Sequence, residues 1–345
     1  MGIKHDVVKW LFKMIPYSFF NKNYIVLANS KLTDFACREY SNKFFKNSKL
    51  IKDFDTCISE VEKNNKYCII QQGIFKYKII NFCFIRDMMS LIIWCLENGY
   101  KPLIDIQPNS EYYKEKGNLW EKMFIQPFGA NLEQVKKSGN YIVCPINNFT
   151  IKMSMYDVHK PEMVKLWHRL ITKFMVFNTC CESYLQNEYD SILAGKRVVA
   201  CVLRGTDYTR TKPKGHPKQP TPEEVFEKLD VVMKENNLDY IYLATEEKAI
   251  ADKFKQYYSD KILENKRMYF DEKYFLDSDK SKLISGVHFD RKDDDFLKSL
   301  EYFSSINLVS KSDVLVSGLS GGSEMAMYLN GGKYEYFYFF DKGKY

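Results

Sequence analysis

The sequence predicts an α/β protein with two domains, and three observations support this prediction. The chain has 345 residues, which is too long for one ordinary core and enough for two domains of about 150 residues each. From residue 197 onward, apolar runs typical of buried strands alternate with amphipathic helical patterns, as in a doubly wound parallel sheet. The content of 45% hydrophobic and 28% charged residues is that of a folded protein.

We assign the first domain to residues 1–194. An apolar helix is predicted at 81–98, and residues 161–194 are mainly helical, with Gly195 as the linker into the second domain. Short apolar runs predict three strands, at 67–71, 102–105 and 141–144. These runs alternate with helical segments, so a second parallel sheet is expected here.

The second domain, residues 195–345, has the clearer pattern. Its first strand, 197–203, is apolar on both faces, which is typical of a buried parallel strand. A loop at 205–220 follows, and Thr221, Pro222 and Glu224 then supply the cap, first-turn proline and capping-box glutamate of a helix. The remaining strands are predicted at 240–244, 268–270, 314–316 and 336–340, and the remaining helices after Thr245, at 293–310 and at 323–329.

Residues 1–20 place Lys4, Lys9 and Lys13 among large apolar side chains before Pro16 ends any helix. The run is too short and too charged to span a bilayer, and it has no signal-peptide cleavage site. Two interpretations stay open: a helix packed on the domain, or an interfacial helix that rests on anionic lipid.

The nine cysteines form no CxxC pair, and several lie in apolar runs. This pattern predicts buried thiols in a reducing compartment, hence a cytoplasmic protein, with neither a disulfide framework nor a zinc site. The formal net charge of +7 suits acidic ligands such as nucleotide-sugars or lipid phosphates. Because basic and acidic residues are interspersed, nucleic acid is not expected as a partner.

Residues that directly follow the strands are the first candidates for a binding site, because ligands of open parallel sheets collect beyond the carboxyl ends of the strands. Arg204 and Gly205 follow the first strand of the second domain, where a guanidinium can bind phosphate oxygens and a glycine lets the backbone approach. Glu246 follows the next strand. A glycine- and serine-rich turn, 317–323, lies between a buried strand and a helix, where free backbone N–H groups favour an anion.

Each of these signals also has an ordinary structural explanation. Arg204 and Asp207 could form an ion pair in a surface turn, and Glu246 could simply favour the start of a helix. The turn is neither a Walker loop nor a dinucleotide fingerprint, because no Gly-Lys-Ser/Thr follows and the glycine spacing differs. Aspartates at 293–295 and at 277 and 279 could suggest a divalent-metal pair, but helix capping or solvation explains them, and no metal site is predicted.

Taken together, the three segments are more specific. Arg-Gly-Thr-Asp-Tyr at 204–208, Tyr-Leu-Ala-Thr-Glu-Glu at 242–247 and Ser-Asp-Val-Leu-Val-Ser-Gly-Leu-Ser-Gly-Gly-Ser at 312–323 resemble, in order and spacing, the three motifs of the fucosyltransferase superfamily. This superfamily includes the core α1,6-, the rhizobial Nod-factor and the protein O-fucosyltransferases. The resemblance covers about residues 195–332, with a weaker echo at 73–75 and 99–105.

The resemblance implies a GT-B fold, in which two Rossmann-like domains face each other across a cleft, with the acceptor on the N-terminal side. It also implies a glycosyltransferase that needs no metal. In it, Arg204 looks like the arginine that binds the β-phosphate of the donor, and Ser320, Gly321 and Gly322, with Ser323 after them, look like a second diphosphate cradle. Glu246 matches the acidic position after the second strand.

Some positions depart from the family pattern. Gly205 stands where many members have a second arginine, and Val202 and Ser305 stand where relatives use a histidine and an aspartate for guanine. The resemblance still favours GDP-fucose as the donor, but the two guanine-binding residues of relatives have no counterpart at these positions. Lys212 occupies the place of a candidate catalytic glutamate, which leaves Asp207 and His216 as the local candidates for the base.

The sequence thus predicts transfer of a sugar from a nucleotide-sugar to a hydroxyl of a glycan or glycolipid, in cell-surface polysaccharide synthesis. The reaction would take place in the cytoplasm or at the inner face of the membrane. One alternative is a non-catalytic nucleotide- or glycan-binding relative that kept the fold and lost the base. A dinucleotide-dependent oxidoreductase is disfavoured by the missing glycine fingerprint.

Overall fold

The computed structural model describes residues 10–23, 33–71, 79–107, 117–144, 151, 155–271, 274 and 287–345. The chain divides into two compact units. The first comprises Met1–Lys76, Cys83–Ser154 and Arg169–Asn178, and the second comprises Tyr77–Phe82, Met155–His168 and Thr179–Tyr345.

The first unit contains a three-stranded parallel sheet in the order β2-β1-β3. Its strands are β1 (Tyr67–Ile70), β2 (Lys101–Ile104) and β3 (Tyr141–Cys144), at the three predicted places. The α-helices described between residues 17 and 138 are α1 (Tyr17–Lys22), α2 (Thr33–Asn47), α3 (Lys49–Lys52), α4 (Phe54–Glu62), α5 (Phe82–Glu97) and α6 (Leu132–Ser138). Helix α5, predicted at 81–98, is buried along most of its length and carries fully buried Leu91, Ile92 and Ile93, as expected of a core helix.

The second unit contains a five-stranded, all-parallel sheet in the order β6-β5-β4-β7-β8. The strands are β4 (Val198–Val202), β5 (Tyr240–Ala244), β6 (Ile262–Leu263), β7 (Val314–Gly318) and β8 (Tyr336–Phe340). The helices from residue 161 onward are α7 (Pro161–Phe174), α8 (Thr179–Ile192), α9 (Thr206–Thr211), α10 (Pro222–Glu235), α11 (Lys248–Tyr258), α12 (Asp294–Ser310) and α13 (Gly321–Asn330). The predicted alternation of strands and helices is confirmed.

Local sequence signals explain several of these elements. All five residues of β4 are buried, as the two-sided apolar run predicts. Helix α10 begins with the predicted capping box, in which the Thr221 hydroxyl accepts from the Glu224 N–H and the Glu224 carboxylate accepts from the Thr221 N–H. Helix α12 begins after Asp293, close to the predicted place.

Two predictions about the second unit differ from the structure. The strand predicted at 268–270 is wrong: the edge strand is β6, and Phe270 makes only an isolated parallel bridge with Glu247. The loop predicted at 205–220 contains the short helix α9.

The second unit also includes α8 and residues Met155–His168, which lie before residue 195 in the chain. Contacts with this unit explain the assignment: Ser304 donates to Glu188 of α8 at 3.2 Å, Trp167 stacks on Tyr328, and the His168 ring lies 2.8 Å from the Tyr328 carbonyl oxygen.

Candidate functional site

The candidate site lies where the strand order of the second unit reverses direction. Strand β4 is central; the chain adds β5 and β6 on one side of it and then places β7 and β8 on the other. In open parallel sheets a crevice forms at such a reversal, outside the carboxyl ends of the two strands that diverge, here β4 and β7. Val202 at the end of β4 is paired with Ser317 near the end of β7. Arg204 and the start of α13 follow directly.

Arg204 is held in place by protein groups and stays partly exposed. Its Nη1 lies 3.2 Å from Oε2 of Glu246, and its Cζ lies 5.0 Å from the centre of the Tyr208 ring. The side chain is 24% exposed. A guanidinium that an ion pair and an aromatic face already hold in place loses less conformational entropy when it binds an anion.

Glu246 supports the turn that carries Arg204. Its carboxylate is 6% exposed, and Oε1 accepts hydrogen bonds from the Gly205 N–H at 3.1 Å and the Thr206 hydroxyl at 3.0 Å. The sequence placed Glu246 among the candidate donor-binding residues. In the structure its described partners are Arg204, Gly205 and Thr206, which is the arrangement of a positioning residue.

The structure gives a physical reason for glycine at position 205. A Cβ added there would lie 1.8 Å from Oε2 of Glu247 and 2.9 Å from Cδ1 of Ile250, so no larger side chain fits without rearrangement. The same Glu247 oxygen accepts a short hydrogen bond from the N–H of Thr206, whose φ is +42°. Sequence reasoning gave Glu247 no role in the site, because the residues that its carboxylate contacts lie about forty positions away along the chain.

At the start of α13, two serine hydroxyls cap each other's backbone. The buried Ser320 hydroxyl accepts from the N–H of Ser323, and the Ser323 hydroxyl accepts from the N–H of Ser320 at 2.9 Å and donates to the Gly318 carbonyl. The N–H groups of Gly321 and Gly322 have no acceptor among the described residues, and both glycines are half-buried. Two N–H donors at a helix start therefore remain for a ligand.

Glycines in this turn are required by close packing. A Cβ at Gly318 would lie 2.2 Å from Oε1 of Gln219, and one at Gly321 would lie 2.8 Å from the Phe82 ring. Gln219 is buried and donates to the Leu319 carbonyl at 2.8 Å, while its Oε1 has no hydrogen-bond partner in the described part of the chain. Sequence reasoning missed Gln219, which lies a hundred residues before the turn that it contacts.

Of the two candidate bases, the structure places His216 near the site. His216 is exposed, and its ring meets the ring of Tyr208 edge-on at 5.3 Å, so Tyr208 lies between His216 and Arg204. Backbone hydrogen bonds tie the His216 loop to the chain's last residues, from Gly215 to Tyr345, from Tyr345 to His216 and from Lys218 to Gly343. Asp207 contributes backbone to α9, and its side chain lies outside the described residues.

One group of side chains in the described residues has the spacing of metal ligands: His288, Asp294 and Asp295, whose ligand atoms lie within 4.8 Å of one another. The buried Lys298 ammonium lies 3.1 Å from Asp294 and 2.9 Å from Asp295, and Arg291 donates to Asp294 at 2.7 Å. Burial alone would raise the pKa of Asp294, but these hydrogen bonds and one from the Phe289 N–H lower it overall. Protein cations thus already balance these carboxylates. Asp277 and Asp279 lie outside the described residues.

Comparisons with known proteins gave structural matches only. No protein-family model and no curated protein matches the chain. POFUT1 in complex with GDP matches with a TM-score of 0.48 and 9% identity, over 80% of this chain and 98% of that one. NodZ α1,6-fucosyltransferase soaked with GDP-fucose matches at 0.44 and 11%, over 77% and 93%. An Arabidopsis thaliana FUT1 mutant in complex with GDP matches at 0.42 and 11%, over 89% and 77%.

Proposed function

We propose that the protein is a glycosyltransferase that binds the diphosphate of a nucleotide-sugar between Arg204 and the start of α13. The observation that supports the proposal is that two anion-binding features follow β4 and β7, the two strands between which the strand order reverses. One is a fixed, partly exposed guanidinium after β4, and the other is the pair of N–H groups of Gly321 and Gly322 after β7. Each favours a phosphate, and the parallel strands bring both to one edge of the sheet.

The proposed chemistry is direct displacement at the anomeric carbon of the donor by an acceptor hydroxyl. The bond from the sugar to the diphosphate breaks, so negative charge grows on the departing phosphate oxygens. Arg204 and the N–H groups of Gly321 and Gly322 would stabilise this charge where it develops, an interaction whose loss typically costs about 10² to 10³ in rate. No step requires a metal. His216 or Asp207 would accept the proton of the acceptor hydroxyl.

The finer assignments come from the motif resemblance. It makes GDP-fucose the first donor to test, a glycan or glycolipid the acceptor, and GT-B the arrangement of the two units, with the donor in residues 195–345 and the acceptor on the side of 1–194. We place the reaction in the cytoplasm, in polysaccharide synthesis. Among the described cysteines, Cys57, Cys68, Cys83, Cys95, Cys144, Cys180, Cys181 and Cys201 are free thiols, which suits a reducing compartment.

A second candidate function is nucleotide or glycan binding without catalysis. It is favoured by Lys212, which occupies the position where the resemblance leads us to expect a catalytic glutamate. Lys212 is exposed, and its backbone is left-handed, with φ of +43°. A lysine there cannot serve as a carboxylate base. The two functions share the diphosphate site and differ in turnover.

The first experiment measures thermal stabilisation of the whole chain by GDP, UDP, CDP, ADP and dTDP without metal. A diphosphate at 100 times its dissociation constant should add about 2.7 kcal/mol to the stability of the folded state. Arg204→Ala should abolish this gain, whereas Lys234→Ala, an exposed lysine on α10, should keep it. The diphosphate assignment fails if no nucleotide stabilises the protein or if Arg204→Ala leaves the gain intact.

Turnover then separates the two candidate functions. With the stabilising nucleotide known, its sugar conjugates are incubated with glycan acceptors, and release of the nucleoside diphosphate is followed. If His216→Ala or Asp207→Asn abolishes this release while nucleotide binding persists, the protein is an enzyme and the substituted residue is its catalytic base. Binding without release by any conjugate favours the non-catalytic relative.

A further inference from the structure

Four large apolar side chains near the N-terminus point away from the core of the first unit. Trp10, Leu11, Met14 and Phe19 are between 50% and 65% exposed. They lie on two short helical stretches, residues 10–14 and α1, on either side of Pro16. So much aromatic and aliphatic surface within ten residues is unusual for a face that meets only water.

The same two stretches are anchored on their other side. Phe12 and Phe20 are 5% and 0% exposed, and their rings meet edge-on at 5.6 Å. The buried Asn21 accepts a hydrogen bond from Tyr40 through its side chain and another from Trp94 through its carbonyl. The two helical stretches that carry the exposed side chains are therefore packed on the first unit through their other side. One side of this element is packed, and the other is apolar and exposed.

The charge of the chain is concentrated in the same region. Residues 1–52 contain ten lysines and arginines and three acidic residues, so this segment carries the whole formal net charge of +7 and the remaining 293 residues balance to zero. Several of its lysines are exposed and form no ion pair with any described residue, namely Lys13, Lys22, Lys46, Lys49 and Lys52. Lys13 lies between the exposed Leu11 and Met14.

We infer that the exposed face of Trp10, Leu11, Met14 and Phe19 binds the surface of an anionic lipid bilayer. Large apolar side chains, tryptophan among them, insert at the boundary of headgroups and acyl chains, and flanking lysines extend their ammonium groups to lipid phosphates. Lysines are depleted in the buried centres of protein–protein interfaces, so exposed apolar residues beside unpaired lysines fit an anionic membrane better than a protein partner.

The exposed face would rest on the surface of the bilayer. No helix in the described part of the chain is both long and apolar enough to span a membrane. Binding uses residues of the first unit and no residue of the nucleotide site, so this inference stands or falls independently of the proposed function.

The experiment is sedimentation of the full chain with vesicles, without nucleotide. Vesicles of equal parts phosphatidylcholine and phosphatidylserine are compared with vesicles of phosphatidylcholine alone. The protein should bind the anionic vesicles, and salt should weaken the binding. Trp10→Ser with Phe19→Ser should weaken it more than tenfold, and Lys13→Glu with Lys22→Glu about as strongly, since each lysine near such a surface contributes about fivefold.

A matched control changes the same residue types on the second unit. Val231→Ser with Lys234→Glu alters an exposed apolar residue and an exposed lysine of α10 and should leave binding unchanged. Thermal midpoints of all variants should match the parent, because every substituted side chain is exposed. The inference is overturned if the parent ignores anionic vesicles, binds both vesicle types equally, or loses binding equally in the control. If the parent binds no vesicles but forms concentration-dependent dimers, and if Trp10→Ser with Phe19→Ser abolishes these dimers, the exposed face binds a second copy of the chain instead.

Discussion

Replacing Gly205 by alanine tests the turn that presents Arg204. The added Cβ would lie 1.8 Å from Oε2 and 2.8 Å from Cδ of Glu247, well inside van der Waals contact. The Glu247 carboxylate must then move, and it would give up its hydrogen bond from the Thr206 N–H. Overpacking typically costs about 1–3 kcal/mol, and a lost hydrogen bond to a charged group costs a similar amount. We expect Gly205→Ala to lower the free energy of unfolding by about 2–3 kcal/mol.

A double-mutant cycle with Glu247→Ala isolates this contact. In the Glu247→Ala background the carboxylate is gone, and only Cδ1 of Ile250, at 2.9 Å, remains close to the new methyl group. The further cost of Gly205→Ala should then fall below about 1 kcal/mol, which gives a coupling energy above about 1 kcal/mol. Urea unfolding followed by circular dichroism measures all four proteins. An equal cost of Gly205→Ala in both backgrounds would refute the explanation for glycine at this position.

Three further predictions concern other parts of the chain. Burial would raise the pKa of Asp105, but Lys136, Gln107 and Gln71 hold it below its ordinary value. Asp105→Asn should therefore cost about 1–3 kcal/mol at pH 7. In urea unfolding the difference from the parent should shrink as the pH falls from about 4, where the unfolded carboxyl becomes protonated, through the lower pKa of the folded state. Thr221→Ala should destabilise by about 1 kcal/mol through loss of the capping box while Thr221→Ser retains it, as thermal unfolding would show. Exhaustive chelation should leave nucleotide-induced stabilisation unchanged, because Arg204 and backbone N–H groups carry the proposed site; its loss after chelation would mean that a metal takes part.

Local patterns predicted most of the second unit. The buried run of β4, the Thr221 box of α10 and the glycine- and serine-rich start of α13 are each written in consecutive residues. Elements held by distant contacts were not predictable in this way. Helix α9 has six residues, of which Thr, Asp and Tyr have low helix propensity, and its first residue, Thr206, donates to the Glu246 and Glu247 carboxylates.

The error at the sheet edge has a similar cause. Residues 268–270 have the apolar character of a strand, yet Met268 is 41% exposed, whereas β6 consists of two half-buried residues with no distinctive pattern. A strand of two residues is too short for periodicity to give a signal. In the site, the sequence identified Arg204 and the Ser320–Ser323 turn, but the supporting roles of Glu246, Glu247 and Gln219 depend on which strands become neighbours.

The two capping boxes of the second unit solve the same hydrogen-bonding problem with different charges. At α10 the group that satisfies the cap's N–H is the carboxylate of Glu224, whereas at α13 it is the hydroxyl of Ser323. A carboxylate in that position would offset the positive end of the helix and repel an incoming phosphate. The Ser323 hydroxyl makes the same hydrogen bond without placing a charge at the cap. The acidic side chain of the first turn, Glu324, is buried and accepts a hydrogen bond from the Tyr328 hydroxyl. The start of α13 is therefore closed by neutral groups of its own turn, and its negative charge is held in the core by a tyrosine.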